Sequence, residues 1–153
     1  MRNLDMGLEE KIMTDIKAAM KAKDKAALRG LRAIKQAFLL AKTDGSGNEL
    51  TEADEVKMLQ KLVKQRNESI KIFKEQSRTD LAASEQEEVD VIMNYLPKQM
   101  SEEELRSFVA AKIEALGASS MKDMGKVMGA SSKELAGKAD GAVLSKIVKE
   151  LLS

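Results

Sequence analysis

Apolar residues recur at steps of four from Leu8, through Ile12 and Ile16 to Met20, while Glu9, Lys11, Asp15 and Lys17 fall between them. That spacing lays one stripe along a helix and turns the charges outward. The stripe breaks at Met20-Lys21-Ala22-Lys23-Asp24-Lys25, where Asp24 is a good N-cap for a second helix carrying Leu28, Leu31, Ile34 and Phe38. Ala33, Ala37 and Ala41 offer thin places on it, and the short connection implies an antiparallel pair. Thr43-Asp44-Gly45-Ser46-Gly47-Asn48 reads as a mobile loop, since it has turn formers and no apolar anchor. Thr51 then caps a long helix with Val56, Leu59, Leu62 or Val63, Arg66, Ile70 and Phe73 on one side, and Glu52, Asp54 and Glu55 at the positive end of its dipole. Running from Glu52 to Glu75, it would be about 36 Å long. Ser77-Arg78-Thr79 makes the next turn, Ser77 or Thr79 caps a fourth helix, and Leu81, Val89, Ile92, Met93 and Leu96 point inward. Ser84-Glu85-Gln86-Glu87-Glu88 reads as its solvated face.

The segment Tyr95-Leu96-Pro97-Lys98-Gln99-Met100-Ser101 holds the chain's one proline and one tyrosine. Proline disfavours α geometry at the preceding residue, so the fourth helix should end at Leu96. Ser101 with Glu104 forms a capping box for a fifth helix with Leu105, Phe108, Val109, Ile113 and Leu116 inside, ended by Gly117 in the left-handed region. A sixth helix is expected from about Ser120 to Met128 or a little beyond. A seventh should start near Asp140 and bury Val143, Leu144, Ile147, Val148 and Leu151. No stretch alternates as a strand does. The pattern therefore specifies an all-α chain: a four-helix N-terminal domain over residues 1–96 and a three-helix domain over residues 97–153.

Composition narrows the chemistry. With no cysteine and no histidine, the chain lacks disulfides, thiolate nucleophiles, imidazole catalysis and the usual zinc ligand sets. No metal, cofactor or catalytic constellation is expected. No apolar run approaches a membrane span and no secretory apolar core is evident, so a cytoplasmic protein is expected, without a membrane partner. Lys plus Arg number 26 against 25 Asp plus Glu, so nucleic-acid contact would have to come from a local patch. The scarcity of aromatics argues against base-stacking platforms.

Met121-Lys122-Asp123-Met124-Gly125-Lys126-Val127-Met128-Gly129 places two glycines four apart within a helical stretch, where each costs ~1 kcal/mol relative to alanine. Either Gly125 or Gly129 admits a neighbouring helix while Met124, Val127 and Met128 fill the core, or the bare face meets a partner and Lys122 and Lys126, one turn apart, grip phosphates. In Ala136-Gly137-Lys138-Ala139-Asp140-Gly141, Gly137 reads as a turn residue and Asp140 as an N-cap. The other reading is an anion site formed by Lys138 and free helix amides, which the Asp140 carboxylate opposes. The lysines and arginine of the third helix, Lys61, Lys64, Arg66, Lys71 and Lys74, read mostly as a solvated face. Arg66 interrupts an apolar spacing and should pair with Glu68, Glu87 or Glu88. Ser119-Ser120 and Ser131-Ser132-Lys133 read as caps, not as a serine–lysine nucleophile.

Five stretches carry a resemblance: Met20 to Lys25, Lys64-Gln65-Arg66-Asn67-Glu68-Ser69-Ile70, Tyr95 to Ser101, Met121 to Gly129, and Gly137-Lys138-Ala139-Asp140-Gly141. In that order, over about residues 7–152, the chain resembles the YqeY family of bacterial proteins. The resemblance implies a C-terminal domain similar to the tail of the GatB subunit of tRNA-dependent amidotransferases, the correspondence running through Met124 to Met128 and Gly137 to Asp140. Where relatives often continue with an apolar stretch and a proline, this chain reads Ala130-Ser131-Ser132-Lys133-Glu134-Leu135-Ala136. A label of carbon–nitrogen ligase activity with glutamine as amido donor would be inherited through the shared tail, without the enzyme's catalytic groups.

The function expected is a noncatalytic tRNA-binding or tRNA-amidation accessory module, with Lys122, Lys126, Lys138 and Lys146 on the phosphate backbone and tRNA or an aminoacyl-tRNA-handling protein as partner. The alternative is a protein–protein adaptor in which Gly125, Gly129, Met121, Met124 and Met128 dock on another protein.

Overall fold

The computed structural model describes residues 7–43 and 50–153. Apart from Thr43, the loop expected to be mobile lies outside the described residues. Among those residues the secondary structure is entirely helical, as the hydrophobic periodicity predicts: α1 (Leu8–Ala22), α2 (Lys25–Lys42), α3 (Glu52–Glu75), α4 (Thr79–Met93), α5 (Glu102–Leu116), α6 (Met124–Glu134) and α7 (Gly141–Leu152). A 3-10 turn, Met121–Asp123, leads into α6. The chain forms two compact units, Met1–Leu96 and Pro97–Ser153.

In the first unit α1 and α2 form a hairpin, α3 and α4 a second, and α2 also packs on α4. Ile12, Leu31, Ile34, Phe38, Leu59 and Ile92 make the main core, with a smaller cluster of Ile70, Ala82 and Val89. Each large aliphatic side chain so buried contributes roughly 1.5–3 kcal/mol. Asp24 caps α2 by accepting from the Ala27 amide at 3.1 Å, and Thr51 and Asp54 form a capping box on α3. Where α1 ends, Lys23 N–H bonds the Met20 carbonyl and Asp24 N–H the Ala19 carbonyl, a Schellman closure that sets Lys23 at φ 57°. The same closure ends α3, with Ser77 at φ 59°.

Several expectations are corrected here. Met20 is 56% exposed and Ala19 is buried in its place, because strict steps of four advance 40° per turn and leave the seam that Ile12 and Ala19, seven apart, share. A close approach on α2 that the periodicity does not single out is at Gly30: a Cβ there would lie 2.7 Å from the Val91 side chain of α4. Neither Ser77 nor Thr79 caps α4; Arg78 occupies the cap position without a side-chain cap bond and pairs with Asp80. Glu88 does not belong to a solvated face. Its carboxylate and the Arg66 guanidinium are 17% and 18% exposed and 3.4 Å apart, Arg66 also donates to the Leu62 carbonyl, and Arg29 approaches Glu88 from α2. The pairing of Arg66 across α3 and α4 follows the expectation from its place on the seam. At the end of the unit the Tyr95 hydroxyl donates to Asp15, and Lys11 lies over the Tyr95 ring at 5.4 Å. Burial and the Asp15 carboxylate push the Tyr95 phenol above its ordinary range.

The second unit packs α5, α6 and α7 around Leu105, Val109, Val127, Leu144, Ile147 and Val148. Ser101 and Glu104 form the predicted capping box, whose backbone amide holds the Glu104 carboxyl below its usual range, and Gly117 ends α5 at φ 66°. In α7, Val143 and Leu151 are exposed and Leu152 is buried instead, since Leu144, Ile147, Val148 and Leu152 fill the inward arc. Helix α6 starts later and runs farther than expected, to Glu134. The serines after Gly129 do not interrupt it, because Val127, Ser131 and Leu135, at steps of four, are its buried row.

Candidate nucleic-acid interface

Ser120 caps the 3-10 turn by accepting from Lys122 N–H at 3.3 Å, and Asp123 accepts from Ser119 N–H at 2.9 Å. This short-range network sets the entry of α6. With Val127, Ser131 and Leu135 inward, Gly125, Lys126, Gly129 and Lys133 lie on the exposed side. Among the described residues a Cβ at Gly125 or Gly129 would meet nothing within 4 Å, so neither glycine serves a close approach of α5 or α7, which corrects the packing reading of the pair. Met124 and Met128 are half-buried against the unit's core, whereas Met121 is 45% exposed.

Lys122 and Lys126 are both exposed near the start of α6. Lys126 Nζ lies 3.5 Å from the Leu116 carbonyl, where a cation meets the negative end of α5. Lys138 is exposed on the turn between α6 and α7, and Lys146 is exposed on the outward side of α7. The Asp140 carboxylate accepts from Ala142 N–H at 2.7 Å and so already occupies the start of α7, as its cap reading requires. Gly137 is the turn residue, at φ 80°.

Sequence reasoning did not foresee the partner of that turn. Gln99 donates its side-chain amide to the Pro97 carbonyl at 2.8 Å and to the Gly137 carbonyl at 2.6 Å, and Met100 N–H bonds the Lys138 carbonyl at 2.9 Å. Two of the resembling stretches are thereby joined, and exposed Lys98 and Lys138 both flank the bonded strip. The contact spans 38 positions, so no local pattern announces it.

Ion pairs sort the cations of this unit. Arg106 is held by Glu150 and Glu102, which push its pKa further up, and Lys112 is paired with Glu134 while lying over the Phe108 ring. Lys122, Lys138 and Lys146 enter no ion pair among the described residues. The arrangement offers cations and bare helix surface. Among the described residues no cluster of His, Cys, Asp or Glu is placed to hold a metal ion, and no helix is long and apolar enough to cross a membrane.

Fold and surface together define a two-unit, all-helical protein with a compact three-helix tail. The chain belongs to the family described as Yqey-like protein, which it matches over residues 9–152. It is similar to the protein named altered inheritance of mitochondria protein 41, mitochondrial, of Pyrenophora tritici-repentis, at 30% identity over 145 residues, 93% of this chain and 79% of the relative. The proteins of that name from Lachancea thermotolerans and Clavispora lusitaniae are 34% and 35% identical over 82 and 85 residues, 54% and 56% of this chain. Those matches span 44% and 49% of the two relatives, under half of their length. The relatives' names overturn the expectation of a cytoplasmic protein. Organelle-targeting segments are amphipathic and have no secretory apolar core, so the absence of such a core does not distinguish the cytoplasm from an organelle.

Proposed function

We propose that this Yqey-like protein is a noncatalytic RNA-binding accessory module whose tail, Pro97–Ser153, contacts the phosphate backbone of tRNA through Lys122, Lys126, Lys138 and Lys146, in the context of tRNA amidation. The observation that carries the reading is the sorting of tail cations: Arg106 and Lys112 are neutralised within the fold, while Lys122, Lys138 and Lys146 are left to solvent. Unpaired lysines on exposed helix surface serve as phosphate contacts without reading bases. The resemblance of the tail to that of GatB supplies the choice of tRNA. The open Gly125 and Gly129 surface lets a backbone approach α6 without steric obstruction.

The adaptor reading has less to draw on, because Met124 and Met128 pack on the tail's own core and only Met121 of the three is exposed.

Binding of a labelled, unmodified tRNA over a salt series tests the reading. Three or four contacts on structured RNA give a slope in log K against log salt of about 0.9 per contact. The Lys122→Ala/Lys126→Ala variant should weaken binding and flatten that slope. No binding at low salt, or binding indifferent to salt and to this double change, would sink the proposal.

A further inference from the structure

The largest local charge excess in the molecule lies outside the tail, on the α1–α2 hairpin. From Ile16 to Thr43 the chain carries eight lysines and arginines against one carboxylate, Asp24. That carboxylate faces the Ala27 amide as the α2 cap. Two of the eight cations are answered within the fold, Arg29 by Glu87 and Glu88, and Lys42 by Glu9. The remaining six, Lys17, Lys21, Lys23, Lys25, Arg32 and Lys35, are exposed and enter no ion pair among the described residues.

Their placement is ordered. Lys17 and Lys21 lie one turn apart on α1, and Lys25 and Arg32, seven apart, share a face of α2. Lys23 stands at the tip between them, in the left-handed conformation that glycine would adopt at less cost. The hairpin thus presents cations along both helices and at the turn. Near the tip its one large exposed apolar side chain is Met20, and the hairpin's others, Met13, Leu39 and Leu40, lie away from the turn, so the cations there do not border the broad apolar face by which a helix settles into a lipid interface. No aromatic residue lies between Ile16 and Ala37, so bases are not stacked there.

We infer that the α1–α2 hairpin is a second, independent polyanion site, one that binds the phosphate backbone of duplex nucleic acid without reading sequence. It does not require the tail lysines, and the tail does not require it. Charge complementarity supplies the attraction, and release of condensed counterions makes it steeply salt-dependent.

The test measures binding of a fluorescein-labelled RNA duplex of arbitrary sequence to the full chain over a salt series. The wild type should bind with a steep slope. Lys17→Ala/Lys21→Ala/Arg32→Ala should lose tenfold or more in affinity at low salt and lower the slope by about 0.9 for each contact removed. A Lys17→Arg/Lys21→Arg variant should bind as the wild type does. Unchanged affinity and slope in the triple alanine variant, with an unchanged melting curve, would overturn the inference. So would charge-dependent binding to phosphatidylserine vesicles with none to the duplex. Lys122→Ala/Lys126→Ala, run in parallel with duplex and tRNA, separates the two readings: loss only in the hairpin variant leaves this site standing and the tail proposal failed, and loss only in the tail variant does the reverse.

Discussion

The side-chain amide of Gln99 reaches the carbonyl oxygen of Gly137 at 2.6 Å and so fastens the strip after the single proline to the turn that introduces α7. Gln99→Ala removes a donor shared by two carbonyls and should cost about 1–2 kcal/mol. Gln99→Glu should cost more at neutral pH, because a carboxylate would face the Pro97 and Gly137 oxygens, and part of the loss should return once the carboxyl is protonated. Urea unfolding of both variants at neutral and acidic pH checks this. A Gln99→Glu protein as stable as the wild type at neutral pH would refute it.

Gly30 meets Val91 where α2 crosses α4, and an added Cβ would sit 2.7 Å from two Val91 carbons. Gly30→Ala should destabilise by roughly 1–3 kcal/mol through overpacking. Val91→Ala in the same chain should recover part of that loss, giving a favourable coupling in a double-mutant cycle. Additive effects would show that the crossing is not the cause.

Ser131 is fully buried in α6 and its hydroxyl has no hydrogen-bond partner among the described residues. A buried polar group without a partner carries a desolvation cost, so Ser131→Ala should raise stability by about 1 kcal/mol. Thermal melting decides the sign, and a clear loss would mean that the hydroxyl is satisfied in solution.

Acid titration should divide the α3 carboxylates. The Thr51 backbone amide holds Asp54 low, and the Ser101 amide does the same for Glu104 in the tail, so their stabilisation is full above the ordinary carboxylate range and fades as pH falls through the depressed values. Glu55 runs the other way. Burial, with Glu52 and Glu9 nearby, raises its pKa, so its ionised form disfavours the fold as pH rises past its unfolded value of 4.5. Glu55→Gln should therefore stabilise at neutral pH and lose that advantage toward pH 4. Unfolding curves across this range that show no pH-dependent gain would contradict it.

Helix boundaries were legible wherever a neighbouring residue completes them. Asp24, Thr51 with Asp54, Ser101 with Glu104, Gly117 and Asp140 all act within four positions of themselves. The ends of α1 and α3 were harder to read, since Lys23 and Ser77 adopt a conformation their side chains do not advertise. The inward turn of Glu88 was hidden within a polar run because its partner, Arg66, comes from another helix 22 positions away. The extension of α6 was masked by its serines, as Ser131 reads as polar by composition yet occupies a core row.

Of the candidate surface, the sequence supplied the lysines but not their sorting. By itself it determined the helical periodicity, most caps, the proline break and the family, because these depend on residues near in the chain or on their order. Only the tertiary structure decided which cations are neutralised, that Gly30 and not Gly125 or Gly129 admits a neighbour, and that the strip carrying Gln99 is bonded to the Gly137 turn. Ion pairing, close approach and non-local hydrogen bonds depend on distances between segments that are far apart in the chain, and packing alone sets those distances.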